Sequence, residues 1–126
     1  MKDLGKKAEE IAKDYLKSKG YQILDQNVAF FNTWKRQKGE IDIVAKKGKT
    51  ICFVEVKSQK GEKEIFPEEK VNFQKAKRLI ETAEYYLFKN KIPFDVPWQI
   101  DIISITFLDE GKTKIFHFEN AVSDWR

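Results

Sequence analysis

Cysteine and histidine are almost absent from this chain: Cys52 and His117 are single copies among 126 residues. One cysteine excludes an internal disulfide and a thiolate zinc site, and it suits a reducing compartment. Cys52 lies in the apolar run Ile51-Cys52-Phe53-Val54 and reads as a buried, inert thiol. One histidine excludes a histidine-rich metal centre and a two-histidine acid–base pair. Any metal held here must take oxygen ligands, which favours Mg²⁺ or Mn²⁺. Long apolar runs are missing as well; none nears the ~20 residues needed to cross a bilayer. The opening Met1-Lys2-Asp3-Leu4-Gly5-Lys6-Lys7 is charged and leads into an amphipathic pattern, so no signal peptide is expected. The expectation is a cytoplasmic protein without a membrane partner. There is no internal repeat and no low-complexity tract.

Aromatic residues, by contrast, are plentiful: ten Phe, four Tyr and three Trp in a chain that is 41% hydrophobic. That is enough apolar mass for one core, and the length fits one domain over 1–126. Lys and Arg number 24 against 20 Asp and Glu, a net +4. The excess is compatible with nucleic-acid binding and equally with a heat-adapted surface, so placement matters more than the sum.

Leu4, Ala8, Ile11, Ala12, Tyr15 and Leu16 recur at helical spacing, predicting a helix from about Asp3 to Lys19 closed by Gly20. Tyr21 to Phe31 reads as a strand and Asn32 to Lys38 as a basic loop. Glu40 to Lys46 and Thr50 to Ser58 read as strands, joined through Lys47-Gly48-Lys49 as an antiparallel hairpin. Gln59 to Glu64 reads as a charged loop. Asn72 reads as the N-cap of a second helix marked by Ala76, Leu79, Ile80, Ala83 and Leu87 and ending near Asn90. Strands at Trp98 to Phe107 and Lys114 to Phe118 follow, separated by a turn at Glu110-Gly111-Lys112. The order is α-β-β-β-α-β-β, and a mixed sheet flanked by two helices buries both apolar stripes.

Chemistry concentrates in Gly39-Glu40-Ile41-Asp42-Ile43-Val44 and Phe53-Val54-Glu55-Val56-Lys57. Strand alternation predicts Ile41 and Ile43 on one side with Glu40 and Asp42 on the other. In the next strand Val54 and Val56 share a face, opposite Phe53, Glu55 and Lys57. Neighbouring strands then present Asp42, Glu55 and Lys57 together. Crowded carboxylates repel unless a cation joins them, and Lys57 can orient water or neutralise charge on a phosphate. An isolated Glu-x-Lys is usually just a solvated cross-strand ion pair; the acidic strand, hairpin and apolar surroundings set this one apart. At about 100° per residue Glu9 falls at the edge of the first helix's apolar stripe and Glu10 almost opposite, so only Glu9 can lean toward the sheet as a third carboxylate.

These segments, with Gly5-x3-Glu9-x2-Ala12-x2-Tyr15-Leu16, Pro67-Glu68-Glu69 and Glu119-Asn120-Ala121, resemble the YraN-type family over Gly5 to Val122. Those bacterial proteins are regarded as distant relatives of archaeal Holliday junction resolvases, and both resemble the PD-(D/E)XK nuclease superfamily. The resemblance implies a restriction-endonuclease-like αβββαβ core, Asp42 and Glu55 as metal ligands, Lys57 as the catalytic lysine and Glu9 as an auxiliary acid. Lys75 and Arg78 fall where the family carries basic residues on the second helix. Ile100-Asp101-Ile102 stands for its Phe-Asp-Val, and Asn72-Phe73 departs from its Thr-Pro.

Phe30, Phe31 and Trp34 interleave with Lys35, Arg36 and Lys38. Cations meet phosphates and aromatic faces stack on bases, so this loop could grip a nucleic-acid strand; for Phe30 and Phe31 core anchoring is the expectation. Lys75 sits in the first turn of its helix, where backbone N–H groups favour anions. Asp101 reads as structural and His117 as a satisfied sheet residue. The expected activity is Mg²⁺- or Mn²⁺-dependent hydrolysis of DNA, branched or otherwise irregular, by a protein that could pair as a homodimer. The rivals are a catalytically silent nucleic-acid-binding module of the same fold and a metal-free RNA endonuclease. The latter normally needs a histidine base, and His117 lies far along the chain from the acidic strands.

Overall fold

The computed structural model describes residues 4–61 and 72–122. Helix α1 (Leu4–Ser18) is followed by strands β1 (Gln22–Asn32), β2 (Gln37–Lys47) and β3 (Thr50–Lys60), helix α2 (Phe73–Lys89), and strands β4 (Trp98–Phe107) and β5 (Thr113–Phe118). The five strands form one mixed sheet in the order β1-β2-β3-β4-β5. All neighbours are antiparallel except β3 and β4, which run parallel because α2 carries the chain back across the sheet. This is the predicted α-β-β-β-α-β-β order, and it is consistent with a restriction-endonuclease-like core. Among the described residues no helix is long and apolar enough to cross a membrane.

Each helix lays its apolar stripe on a different face. Ala8, Ala12 and Leu16 of α1 pack on Ile43, Ala45, Cys52, Val54, Ile103 and Ile105. Ala76, Leu79, Ile80, Ala83 and Tyr86 of α2 pack on Ile41, Val44, Ile51, Phe53, Ile100 and Ile102. Cys52 is buried, and burial pushes its thiol up to about 12, so it is inert. The ends of α1 and α2 follow from local chemistry. Gly20 adopts φ +91°, Gly20 N–H bonds to Lys17 C=O and Tyr21 N–H to Leu16 C=O, both at 3.0 Å; Tyr21 then packs in the same core as Leu16. Asn72 caps α2 by accepting from Lys75 N–H at 2.8 Å.

Three expectations need correction. The loop predicted over Asn32 to Lys38 shrinks to the tip 33–36, because backbone pairing persists through Phe31 opposite Lys38 and Asn32 opposite Gln37. Likewise Gln59 and Lys60 are not loop but continue β3 opposite Thr106 and Phe107 of β4. Ile41 and Ile43 do not share a face: Ile41 joins the α2-side core and Ile43 the α1-side core. Regular alternation is therefore broken at Asp42, just where the β2–β3 pairing ends, after Ile43 opposite Val54. The Pro67-Glu68-Glu69 segment lies outside the described residues.

Candidate active site

Where the β2–β3 pairing ends, the Val56 backbone N–H bonds to the Asp42 side chain. Asp42 Oδ2 receives the Val56 backbone N–H at 2.7 Å, which places Asp42 against Glu55 on the adjoining strand. Burial and repulsion from Glu55 push the Asp42 carboxyl up to about 7, with Glu9 adding to the rise and the Val56 N–H opposing it. Glu9 is half-buried and Glu10 exposed, as the helical phase predicts. Among the described residues no three His, Cys, Asp or Glu side chains converge as a metal cluster. Asp42 and Glu55 form a pair; Glu9, expected with them as a third metal ligand, acts on Asp42 through its charge.

Glu55 is buried, and two ammonium groups meet its Oε2: Lys75 at 2.7 Å and Lys57 at 3.2 Å. Val54 and Val56 pack on the α1 side and Phe53 on the α2 side, where Glu55 meets Lys75 of α2 and Lys57, so the predicted division of β3 into two faces holds. Lys75, expected at a phosphate-binding surface, reaches the carboxylates because α2 begins directly above them. Burial and the neighbouring Lys75 hold Lys57 below the ordinary lysine range, although Glu55 pulls the other way. Burial alone would lower Lys75 too, but its hydrogen bond to Glu55 and the surrounding negative charge keep it above that range.

Asp42 and Glu55 lie in a cleft of about 250 Å³ whose other lining residues include Lys38, Glu40, Lys75 and Arg78. The cleft depends on Gly39. A Cβ there would collide with Thr82 Oγ1 and sit 3.0 Å from Arg78 C=O, so only glycine lets α2 come this close to β2. Thr82 has no signal of its own in the sequence, being one polar position inside an apolar stripe. Ser104 was also missed: its Oγ is buried without a hydrogen-bond partner among the described residues, in register with Lys57.

The β1–β2 tip behaves differently from a uniformly basic loop. Lys35 Nζ pairs with Glu81 of α2 at 2.7 Å and Lys38 Nζ with Glu40 at 3.4 Å. Trp34 is 95% exposed. Phe30 stacks on Tyr85 at 4.7 Å between ring centroids, an anchor as predicted. Phe31 is not an anchor; it is 54% exposed on the edge strand β1. Asp101 is structural: its carboxylate accepts from Gln99 Nε2 (2.9 Å) and Asn120 N–H (2.9 Å) and meets His117 Nε2 at 2.8 Å. His117 Nδ1 lies 3.1 Å from the Tyr15 hydroxyl, so this network binds α1, β4 and β5 on the face away from the cleft.

The model of the Uncharacterised protein family UPF0102 matches residues 8–105. A UPF0102 protein of Thermotoga petrophila is 41% identical over 114 residues, covering 90% of this chain and 92% of its own. One from Clostridioides difficile is 39% identical over 120 residues, covering 95% and 96%. A third, from Persephonella marina, is 38% identical over 117 residues, covering 93% and 90%. The matched span holds Glu9, Asp42, Glu55, Lys57 and Lys75, and the chain belongs to the UPF0102 family, the YraN-type proteins.

Proposed function

We propose that the protein is a Mg²⁺- or Mn²⁺-dependent endonuclease of the PD-(D/E)XK type, hydrolysing phosphodiesters in DNA. The observation that carries this reading is the Asp42–Glu55 pair in a cleft with Lys57 and Lys75 both on Glu55. The donor set fits a hard cation: two carboxylates, no thiolate and no imidazole, with remaining positions left to water and phosphate as Mg²⁺ prefers. Asp42 and Glu55 would hold it, and Glu9 would add negative charge behind them. Such an ion supplies Lewis-acid polarisation of the phosphate and a water of lowered pKa. Once Glu55 is shared with a cation, the Lys57 ammonium is available to neutralise charge developing on the phosphate. Arg78 and Lys38 line the approach for the flanking phosphates. Action on both strands would need two sites, hence a homodimer, and the reading places the protein in the cytoplasm.

One observation favours the silent nucleic-acid-binding module instead. Lys75, at 2.7 Å from Glu55, already supplies a positive charge where the cation would sit. Mn²⁺ titration separates the two readings. The nuclease reading expects one site per chain, lost in Asp42→Asn and in Glu55→Gln, and tighter in Lys75→Ala because the competing ammonium is gone. Equal Mn²⁺ uptake by wild type and all three variants would remove the metal site and leave the binding module.

A further inference from the structure

Trp34 and Phe94 are the most exposed large apolar side chains among the described residues, at 95% and 100%, and Trp34 is the one set among cations. It belongs to neither core cluster. It stands on the hairpin tip Thr33-Trp34-Lys35-Arg36, closed by Asn32 opposite Gln37. Two bonds brace that tip: Asn32 Oδ1 accepts the Lys35 backbone N–H at 3.1 Å, and Lys35 Nζ reaches Glu81 of α2 at 2.7 Å. A braced turn that holds an indole out in water is arranged for a ligand rather than for the core. Behind it, Arg78 lines both the surface hollow with Lys35 and the cleft with Lys75, Asp42 and Glu55. From Gln37 to Asp42 the strand covers about 17 Å at roughly 3.3 Å per residue. That is about five base pairs at 3.4 Å each.

We infer that Trp34 is a stacking platform for an unpaired nucleobase, so that the substrate class is nucleic acid with single-stranded character several nucleotides from the cut rather than uninterrupted duplex. The inference rests on the phosphodiesterase reading for what lies in the cleft. An aromatic face stacks on any base and gives affinity without sequence preference. A base inside continuous duplex is already stacked on both sides and gains nothing from the indole unless it is first pulled out. Lys35 is here a strut rather than a phosphate contact, because its ammonium is spent on Glu81. The test is anisotropy titration of the full chain in EDTA, using a labelled oligothymidylate and a labelled blunt duplex at one salt concentration. Trp34→Ala is expected to weaken the single strand about ten-fold and the duplex by less than about two-fold, while Trp34→Phe retains most of the single-strand affinity. No loss, or equal loss on both ligands, overturns the inference and leaves the nuclease reading standing. Binding of neither ligand by the wild type also overturns the inference, and points to a protein partner for the exposed indole.

Discussion

Asp42 carries two opposed demands: Val56 N–H and any approaching cation favour its ionised form, while burial, Glu55 and Glu9 favour the proton. Its pKa in the folded, metal-free protein is raised from 3.8 to about 7, so the folded state holds the proton that the unfolded chain releases near pH 4. The sign follows from linkage: this stabilising contribution is complete below about pH 4 and is lost as pH rises through about 7. Urea unfolding of chelator-treated protein should therefore show a fall in stability from pH 5 to pH 8 that Asp42→Asn reduces. An Asp42→Asn protein with the wild-type pH slope would mean the carboxyl is not strained. Asp42 itself was legible in the sequence, as was its partnership with Glu55, because a hairpin sets the two acidic strands side by side, although the regular alternation expected around Asp42 is broken there. That its carboxylate would accept from Val56 was not legible, since it depends on the backbone pairing ending at Ile43 opposite Val54.

Among the elements, the contact of α2 with β2 shapes the cleft. Asn72 sets where α2 starts, Gly39 sets how near it comes, and together they bring Lys75 and Arg78 over the carboxylates. Gly39→Ala should push the helix outward and cost about 1–3 kcal/mol, the usual range for overpacking. Denaturant midpoints of wild type and Gly39→Ala check this, and an unchanged midpoint would show that the helix yields without strain. The element order and the caps at Gly20 and Asn72 were readable from periodicity and turn chemistry. The length of the β1–β2 hairpin was not: Asn32 to Lys38 is polar and basic, and its strand character comes from cross-strand pairing that local composition does not report. Phe31 was misjudged for a related reason: Phe30 and Phe31 point to opposite faces of an edge strand, and among the described residues only Phe30 finds a partner ring, Tyr85.

Across the whole molecule, the +4 net charge is distributed unevenly with respect to use. Lys35 answers Glu81, and Lys57 and Lys75 answer Glu55, so fewer cations serve an incoming phosphate than the sequence lists. Each phosphate neutralised changes the log–log salt slope by about 0.9 for duplex DNA. Replacing Lys35, Arg36 and Lys38 together by Ala should flatten that slope by no more than about two contacts, rather than the three that counting residues gives. Filter or anisotropy titrations over a salt series measure it, and a slope left unchanged would move the binding surface away from the hairpin tip. The sheet, the two cores and the Asp101–His117–Tyr15 network hold this charge arrangement in place without taking part in it.

The rate of phosphodiester cleavage in Mn²⁺ by wild type, Glu55→Gln and Lys57→Met decides whether the cleft is a nuclease site. A panel of labelled flaps, forks, junctions and single strands first identifies a substrate that the wild type cuts. Lys57→Met should keep its fold and its Mn²⁺ affinity yet cut roughly 10²–10³ more slowly, the loss expected when one group stabilising transition-state charge is removed. Glu55→Gln should be as slow and should also bind Mn²⁺ more weakly, which separates holding the ion from stabilising the transition state. Cleavage by Lys57→Met or Glu55→Gln at the wild-type rate, or no Mn²⁺-dependent cleavage of any panel member by the wild type, would contradict the account.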